Sequence, residues 1–338
     1  MQVKLEDVCD RGTSNLRQVD VEGKTGGYPI FGAAGYIGNV DFFHQEKAYV
    51  AVVKDGAGIG RTMLLPAKSS VIGTMQYLIP KANVLPEYLC YVVKYMHLEK
   101  YFTGATIPHI YFRDYKNEKF NLDRLDRQIE IIKILGHVEK IIDTKKQELQ
   151  KLDTLIKARF VEMFGKDKYE SKLLSDVADI IAGGDKPSDN TETPTEEYRY
   201  PVYANGVDNE GLQCFSNKFR VGKAAVTISA RGTIGATFIR EPCFTPIVRL
   251  ISVIPNEEVN VTYLKYAIDS IGISGTGTSQ QQLTVPNLKK EFIPVPPKAL
   301  QEEFLQIVQQ VDKSKVVVQK ALDKSRLLFD SLMQKYFG

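Results

Sequence analysis

Residues 54–62 read KDGAGIGRT and combine three glycines with an arginine and a threonine, the residue types of a phosphate-binding loop. A Walker loop needs the spacing G-x-x-x-x-G-K-[ST], because successive backbone N–H groups wrap the phosphates and the lysine reaches the outer ones. Here the segment from Gly56 to Gly60 is one residue too short, and Arg61 stands where the lysine should be. The pattern alone leaves two alternatives, a nucleotide site or a tight turn.

An internal repeat with a period of about 173 residues decides between them. LEDVCD at residue 5 returns as LSDVAD at 174, and YPIFGAAGYIGNVDFF at 28 is echoed by YPVYANGVDNEGLQCF at 200. The second copy of the glycine segment reads SARGTIGAT, in which alanine follows Gly235 and the basic residue is lost. Since β-rich runs flank the glycines in both copies, we predict a β-hairpin in each, with Arg61 and Arg231 at exposed tips.

Each copy continues into an amphipathic segment of about 40 residues, the length of a long helix. Apolar residues recur there at spacings of four and three, which is typical of a coiled-coil seam. In the first copy the seam comprises Ile131, Leu135, Val138, Ile142, Leu149, Leu152, Ile156 and Met163, broken by Lys145 and Arg159. In the second copy it comprises Phe304, Val308, Val311, Val318, Leu322, Phe329, Leu332 and Tyr336, broken by Lys315 and Ser325.

These patterns predict an α+β fold of two pseudo-repeated β-rich domains joined by two long helices that pair as an antiparallel coiled coil. We expect β-rich domains at residues 1–122 and 166–297, each with one short helix, and long helices at 123–165 and 298–338. Antiparallel pairing would put the β domains at opposite ends of a rod. The alternative is that each helix packs only on its own domain.

Composition is that of a soluble globular protein, with 43% hydrophobic and 25% charged residues. Because no apolar run approaches the roughly 20 residues of a membrane span and the first residues lack an apolar signal core, we expect a cytoplasmic protein. The four cysteines are isolated and predict buried free thiols. The four histidines, at 44, 97, 109 and 137, lack metal-site spacing.

The formal net charge of +3 is too small to indicate nucleic acid by itself, but the basic residues are unevenly distributed. Residues 212–240 contain five basic residues and no acidic one. Residues 56–86 contain three basic residues and again no acidic one. No acid–base pair or nucleophile motif repeats between the copies. A duplicated chain whose loops differ indicates two binding modules of different specificity.

The order of these segments resembles the specificity subunit of type I restriction-modification enzymes. The resemblance covers essentially the whole chain and rests on YPIFGAAGYIG, KDGAGIG, SARGTIG, TGATIPHIYFRDYK and FIPVPPKALQEEF, together with the duplication and the paired seams. It implies two target recognition domains that each read half of a split, asymmetric DNA site, with the helices as spacer and docking surface. It implies no cofactor in this chain. S-adenosylmethionine would belong to partner modification subunits that methylate adenine, and ATP and Mg to partner restriction subunits.

Such domains should read base edges in the major groove with polar and aromatic side chains on loops. We therefore choose candidates from loops that differ between the copies. In the first domain these are Tyr36, Lys54, Arg61, His109, Tyr111 and Arg113. In the second they are Asn205, Arg231, Thr233, Gln280, Gln281 and Gln282. Two alternatives remain at this stage, a scaffold protein without a DNA role and a nucleotide-dependent enzyme.

Overall fold

The computed structural model describes residues 1–103, 108–165, 168–273 and 282–338. Its contacts divide the chain into two units, each built from one β-rich copy and parts of both long helices. Unit 1 comprises Met1–Gln147 with Gln319–Gly338, and unit 2 comprises Glu148–Val318. The long helices are therefore shared between the units, rather than each belonging to the copy that precedes it.

Unit 1 contains nine short strands and four short helices among its described residues. The strands are β1 (Gln2–Lys4), β2 (Cys9–Thr13), β3 (Tyr28–Gly32), β4 (Gly35–Val40), β5 (Tyr49–Val53), β6 (Thr62–Leu65), β7 (Ser70–Val71), β8 (Met75–Pro80) and β9 (Lys119–Asn121). The helices are α1 (Leu5–Val8), α2 (Gln18–Val21), α3 (Pro86–Tyr95) and α4 (Phe112–Tyr115), with a 3-10 turn at Leu98–Tyr101. The order of strands is β2-β8-β5-β6 in the central antiparallel sheet and β4-β3-β7 in a second sheet, while β1 pairs with β9.

The central strand β5 is buried along its whole length because both of its faces are covered. Val50 and Val52 point into a cluster with the apolar side of α3. Tyr49, Ala51 and Val53 alternate with them and pack in a separate cluster on the other face of the sheet. A strand with two buried faces reads as a continuous apolar run, which explains the sequence YVAVV.

Unit 2 repeats this plan with ten strands and three short helices among its described residues. The strands are β10 (Ser171–Leu173), β11 (Ala178–Ala182), β12 (Asn190–Thr191), β13 (Tyr200–Tyr203), β14 (Leu212–Ser216), β15 (Ala225–Ser229), β16 (Thr237–Arg240), β17 (Thr245–Pro246), β18 (Leu250–Pro255) and β19 (Phe292–Pro294). The helices are α6 (Leu174–Val177), α7 (Val261–Ile271) and α8 (Val285–Leu288), with a tight turn at Asp208–Gly211. The sheet orders β11-β18-β15-β16 and β12-β14-β13-β17 reproduce those of unit 1, with one added edge strand, β12.

Two helices of 40 residues each, α5 (Leu125–Phe164) and α9 (Lys298–Phe337), follow the β-rich segments, as predicted. In unit 1 the Arg127 guanidinium lies 5.9 Å from the centre of the Tyr336 ring. Further along α5, Glu139 accepts a hydrogen bond from Tyr91, whose ring lies 6.3 Å from Phe329. As α5 advances, its neighbours on α9 move backwards, so the two helices are antiparallel within unit 1.

Unit 2 shows the same antiparallel pairing. The Asp153 carboxylate lies 2.6 Å from Lys315 Nζ, and the ring centres of Phe160 and Phe304 are 5.5 Å apart. Lys315, which interrupts the predicted apolar seam, is therefore tolerated because its ammonium pairs with an acid on the other helix. All the predicted seam positions are buried or half-buried, which confirms the coiled-coil seam.

Candidate nucleic-acid interface

The glycine segment of unit 1 is the connection of a β-hairpin, because β5 pairs with β6 antiparallel on either side of it. Gly56, Gly58 and Gly60 have φ values of 85°, 87° and 79°, a region that favours glycine. A Cβ on Gly60 would also lie only 2.7 Å from the backbone nitrogen of Glu99. Backbone geometry accounts for these glycines, and the predicted hairpin is confirmed.

The glycine turn of unit 2 closes with the same hydrogen bond. Gly235 N–H donates to the carbonyl of Ser229 at 3.0 Å, as Gly60 N–H donates to the carbonyl of Val53 at 2.9 Å. Strands β15 and β16 flank it as an antiparallel pair. The repeat seen in sequence is therefore also a repeat of backbone hydrogen bonds.

Counting from these bonds changes which residues are counterparts. Arg231 takes the place of Asp55, since each is the second residue after the strand residue that closes the turn. The counterpart of Arg61 is Ala236, and the first turn is one residue longer. Arg61 is exposed as predicted, whereas Arg231 is half-buried rather than at a freely exposed tip.

Arg61 links the glycine turn to the neighbouring β3–β4 turn. Its Nη1 donates to the backbone carbonyl of Ala33 at 3.0 Å. Tyr36 is the second residue of β4, directly after that turn, and it is 61% exposed. The Tyr36 hydroxyl donates to Asn39 Oδ1 at 3.2 Å, so its outer edge is held at the surface.

A second set of predicted residues forms a contiguous surface cluster with Asp55, which sequence reasoning did not select. His109 Nδ1 lies 2.6 Å from Asp55 Oδ1, and Lys54 Nζ lies 3.5 Å from Asp55 Oδ2. The His109 ring stacks on Tyr111 at 6.2 Å, and the Arg113 guanidinium lies 4.8 Å from the centre of the Tyr111 ring. The structure thus brings four of the six unit 1 candidates into one cluster, in which Lys54 and His109 contact the Asp55 carboxylate.

The available sequence signal for Asp55 was its position directly before the first glycine of the turn. Chemically, the cluster combines a carboxylate acceptor, an imidazole and a half-exposed tyrosine at one surface. Carboxylates accept hydrogen bonds from the cytosine amino group, and lysine or arginine can bond guanine. The cluster is therefore equipped for hydrogen bonding to base edges.

In unit 2 the β13–β14 loop meets the glycine turn through Asn205, whose Oδ1 accepts the backbone N–H of Arg231 at 3.3 Å. Gly206 N–H also donates to Ser229 Oγ at 3.4 Å. Thr233 is exposed on the same turn. Asn205 occupies the place that Ala33 has in unit 1. In both units this position accepts a hydrogen bond from the glycine turn, through the Ala33 backbone carbonyl in unit 1 and through the Asn205 side chain in unit 2.

Gln282 stands where His109 stands in unit 1. The residue after Gln282 donates its backbone N–H to the carbonyl of Ala230 at 2.9 Å, and the residue after His109 donates to the carbonyl of Lys54 at the same distance. Gln282 is exposed. The other two members of the predicted triplet, Gln280 and Gln281, lie outside the described residues.

The basic stretch of unit 2 is only partly at the surface. Lys218, Arg220 and Lys223 are exposed. Arg240 is 2% exposed and belongs to the interior, so the five basic residues of 212–240 do not form one continuous surface. In the described ranges no group of three or more potential ligand side chains could hold a metal ion. Among those same residues, no helix combines the length and apolar character that crossing a bilayer requires.

The sequence matches the family model described as the type I restriction modification DNA specificity domain, over residues 1–154 and 166–324. Two type I specificity subunits of Mycoplasma pneumoniae are similar. One is 37% identical over 129 residues, which is 38% of each chain. The other is 25% identical over 319 residues, covering 89% of this chain and 86% of the relative. A specificity subunit of Methanocaldococcus jannaschii is 20% identical over 300 residues, covering 76% and 69%.

Among solved structures, the S subunit of a type I restriction-modification system from M. genitalium superposes with a TM-score of 0.61 at 17% identity, covering 100% of this chain and 96% of that one. A second chain comes from a structure that describes the complex assembly and conformational transition of a type I R-M system. It superposes with a TM-score of 0.61 at 15% identity, covering 99% of this chain and 97% of that one. At these identities the likeness concerns the fold, and it extends along the full chain.

Proposed function

The chain belongs to the type I restriction modification DNA specificity domain family, and from that premise we propose that it reads a bipartite, asymmetric site on double-stranded DNA. Residues 1–122 act as the first target recognition domain and residues 166–297 as the second. Each reads one half-site, and the segments 123–165 and 298–338 act as spacer and docking surface for partner subunits.

The observation that carries this proposal is a shared backbone frame with different side chains on it. The paired positions are Asp55 and Arg231 on the glycine turns, and His109 and Gln282 before the short helix. If both units served one structural purpose, the residues at these positions would have no reason to change from acid to base. A protein that reads two different half-sites needs one scaffold and two sets of outer side chains.

The side chains suit base reading in different ways. Arginine bonds guanine O6 and N7 bidentately, and glutamine bonds adenine N6 and N7, so unit 2 carries both of these readers. Unit 1 carries a carboxylate, which accepts from the amino group of cytosine, with a histidine against it. The exposed Lys218, Arg220 and Lys223 are suited to phosphate contacts, which position the protein without reading sequence.

The proposal gives this chain no catalytic step. Modification subunits supply S-adenosylmethionine and methylate adenine, and restriction subunits supply the ATP-dependent motor and Mg-dependent cleavage, in a cytoplasmic host-defence complex.

Two measurements test the proposal. One is DNA binding by the chain with and without its modification subunit, and the other is methylome sequencing of a host that carries both proteins. We expect weak, largely sequence-independent binding by the chain alone, since net charge is modest, and tight binding to one bipartite motif in the complex. Methylated adenines should fall in both halves of one split motif. Equal, site-specific affinity for DNA with and without the modification subunit would contradict the expectation that both subunits contribute to binding. Methylated adenines that share no split motif would contradict the proposed reading of DNA sequence by this chain.

A further inference from the structure

Arg240, on β16 of unit 2, is a buried cation that the reading proposal does not use. Its side chain is 2% exposed, and its guanidinium lies 3.8 Å from the centre of the Tyr203 ring and 4.9 Å from that of Phe238. Burial lowers the pKa of Arg240, while Tyr203 and Glu210 raise it. Arginine remains charged in proteins, so this charge needs compensation inside the unit.

The compensation comes mainly from one loop. Arg240 Nη1 donates to Glu210 Oε2 at 3.1 Å, and Nη2 donates to the backbone carbonyl of the same residue. Its Nε donates to Thr227 Oγ1 at 2.9 Å on the adjacent strand. The guanidinium therefore ties the sheet to both the backbone and the side chain of Glu210.

That loop, residues 204–211, needs to be held. Asn209, Glu210 and Gly211 have φ values of 46°, 51° and 80° in succession. Glycine and asparagine tolerate this left-handed region, whereas it is costly for Glu210. Ala204 N–H donates to the carbonyl of Gly211 at 2.8 Å, which closes the base of the loop. Strain of this kind persists only where surrounding contacts fix it.

The same loop carries a predicted reading residue and touches the glycine turn. Asn205 accepts the backbone N–H of Arg231, and Gly206 N–H donates to Ser229 Oγ. A displacement of the loop would therefore break or shift these hydrogen bonds and move the turn that carries Arg231. This connects a buried residue to the outer surface through a short series of hydrogen bonds.

Unit 1 shows that the fold itself does not require an arginine at this position. Leu65 occupies the corresponding place, because Tyr49 pairs with Leu65 in the register in which Ala225 pairs with Arg240. There the β3–β4 connection is a two-residue turn, with nothing comparable to hold. The arginine accompanies the longer loop.

We propose that Arg240 is a positioning residue that clamps the 204–211 loop and so sets the sequence preference of unit 2. The inference rests on the proposed DNA-reading function and deepens it. It assigns to a buried side chain the role of fixing where Asn205 and the Arg231 turn meet the bases.

The test replaces Arg240 with leucine, the residue that unit 1 has at this place, and assays the complex with the modification subunit. Hydrogen–deuterium exchange reports on the loop, and selection from a library randomised in both half-sites reports on specificity. Arg220→Leu is the matched control, because it removes the same charge from an exposed position. Glu210→Gln is a second variant that keeps the backbone acceptor and the fold, since that side chain is 63% exposed.

We expect Arg240→Leu to speed exchange of the 204–211 amides by about tenfold or more, and to reduce discrimination at the half-site of unit 2 by about tenfold while sparing the other half-site. Glu210→Gln should show the same pattern with smaller changes. Arg220→Leu should leave loop exchange unchanged and lower affinity uniformly across sequences.

Unchanged loop exchange in Arg240→Leu would overturn the clamp. Faster exchange with unchanged discrimination would overturn its role in reading, as would equal losses at both half-sites. If the unaltered complex shows no bipartite preference, the proposed function fails, and the exchange measurement still decides whether Arg240 clamps the loop.

Discussion

Gln301 makes in unit 2 the same kind of three-way hydrogen-bond contact that Gln128 makes in unit 1, and both side chains are fully buried. Gln128 Oε1 accepts the backbone N–H of Leu85 at 2.9 Å, where α3 begins. Its Nε2 donates to the carbonyls of Asn83 and Asp123 at 3.0 and 2.8 Å. The side chain thus ties the start of α3 to the start of α5.

In unit 2, Gln301 Oε1 accepts the N–H of Asn260 at 2.8 Å, where α7 begins. Its Nε2 donates to the carbonyls of Glu258 and Pro296 at 3.0 and 2.9 Å. A buried amide satisfied three times specifies geometry more sharply than an apolar side chain of similar size, because each bond has a preferred direction. The two glutamines therefore fix each short helix against a long one.

We predict that Gln128→Leu lowers the free energy of unfolding by about 3 kcal/mol, because it leaves one backbone N–H and two carbonyls without their partner. Gln147→Leu is the control, an exposed position on the same helix, and should change stability by less than about 0.5 kcal/mol. Chemical denaturation of the full chain measures both. Equal stability of the two variants would show that water replaces the buried amide without loss.

We predict that the two half-sites are read independently. Arg231→Ala should relax discrimination in the half-site of unit 2 only, by about 1–3 kcal/mol. His109→Ala should do the same for unit 1, and the double variant should show additive losses, since the residues share no partner. Competition with oligonucleotides altered in one half measures each effect, and relaxation of both halves by one substitution would refute independence.

The repeat made the scaffold predictable, because apolar period and glycine placement are properties of the sequence itself. The hairpins, the short helices α3 and α7 and the antiparallel long helices follow from them. The counterpart of Arg231 was not predictable, because a one-residue difference in turn length shifts the alignment, and only the closing hydrogen bonds reveal it. Nor was the burial of Arg240, which depends on a loop folding back over the sheet to compensate its charge.

The cysteines offer a test of the two interiors. Burial raises the pKa of Cys9 to about 12 and that of Cys90 to about 11, and it also raises the pKa of Cys214. A raised pKa leaves almost no thiolate at pH 8, and burial blocks access as well. Cys243 is only half-buried.

We therefore predict that a thiol reagent at pH 8 labels one cysteine quickly in the native protein and the other three at the slow rate of unfolding. Cys243→Ser should remove the fast phase, and denaturant should make all remaining thiols react together. Fast labelling of Cys9 or Cys90 in the native chain would contradict the packing of unit 1.

The last prediction concerns the spacer role proposed for the long helices. Seven residues inserted into each helix at equivalent places, after Gln147 and after Lys320, keep the phase of the apolar seam, so the helices should still pair. Each helix would lengthen by about 10.5 Å. That length corresponds to about three base pairs of DNA, given the roughly 34 Å of a full helical turn.

We expect the lengthened protein to prefer the same two half-site sequences with about three more base pairs between them. Three base pairs also rotate one half-site by about 100° around the duplex, so affinity should fall because DNA twist or protein bending must absorb the mismatch. A selection from fixed half-sites separated by random gaps, run on the parent and the lengthened chain with the modification subunit, measures the preferred gap. As a control, inserting two residues instead of seven turns the apolar stripe beyond the insertion by about 200°, because each residue advances a helix by about 100°, and should therefore abolish helix pairing. A folded, active heptad variant that keeps the parent gap would mean that the helices do not set the spacing.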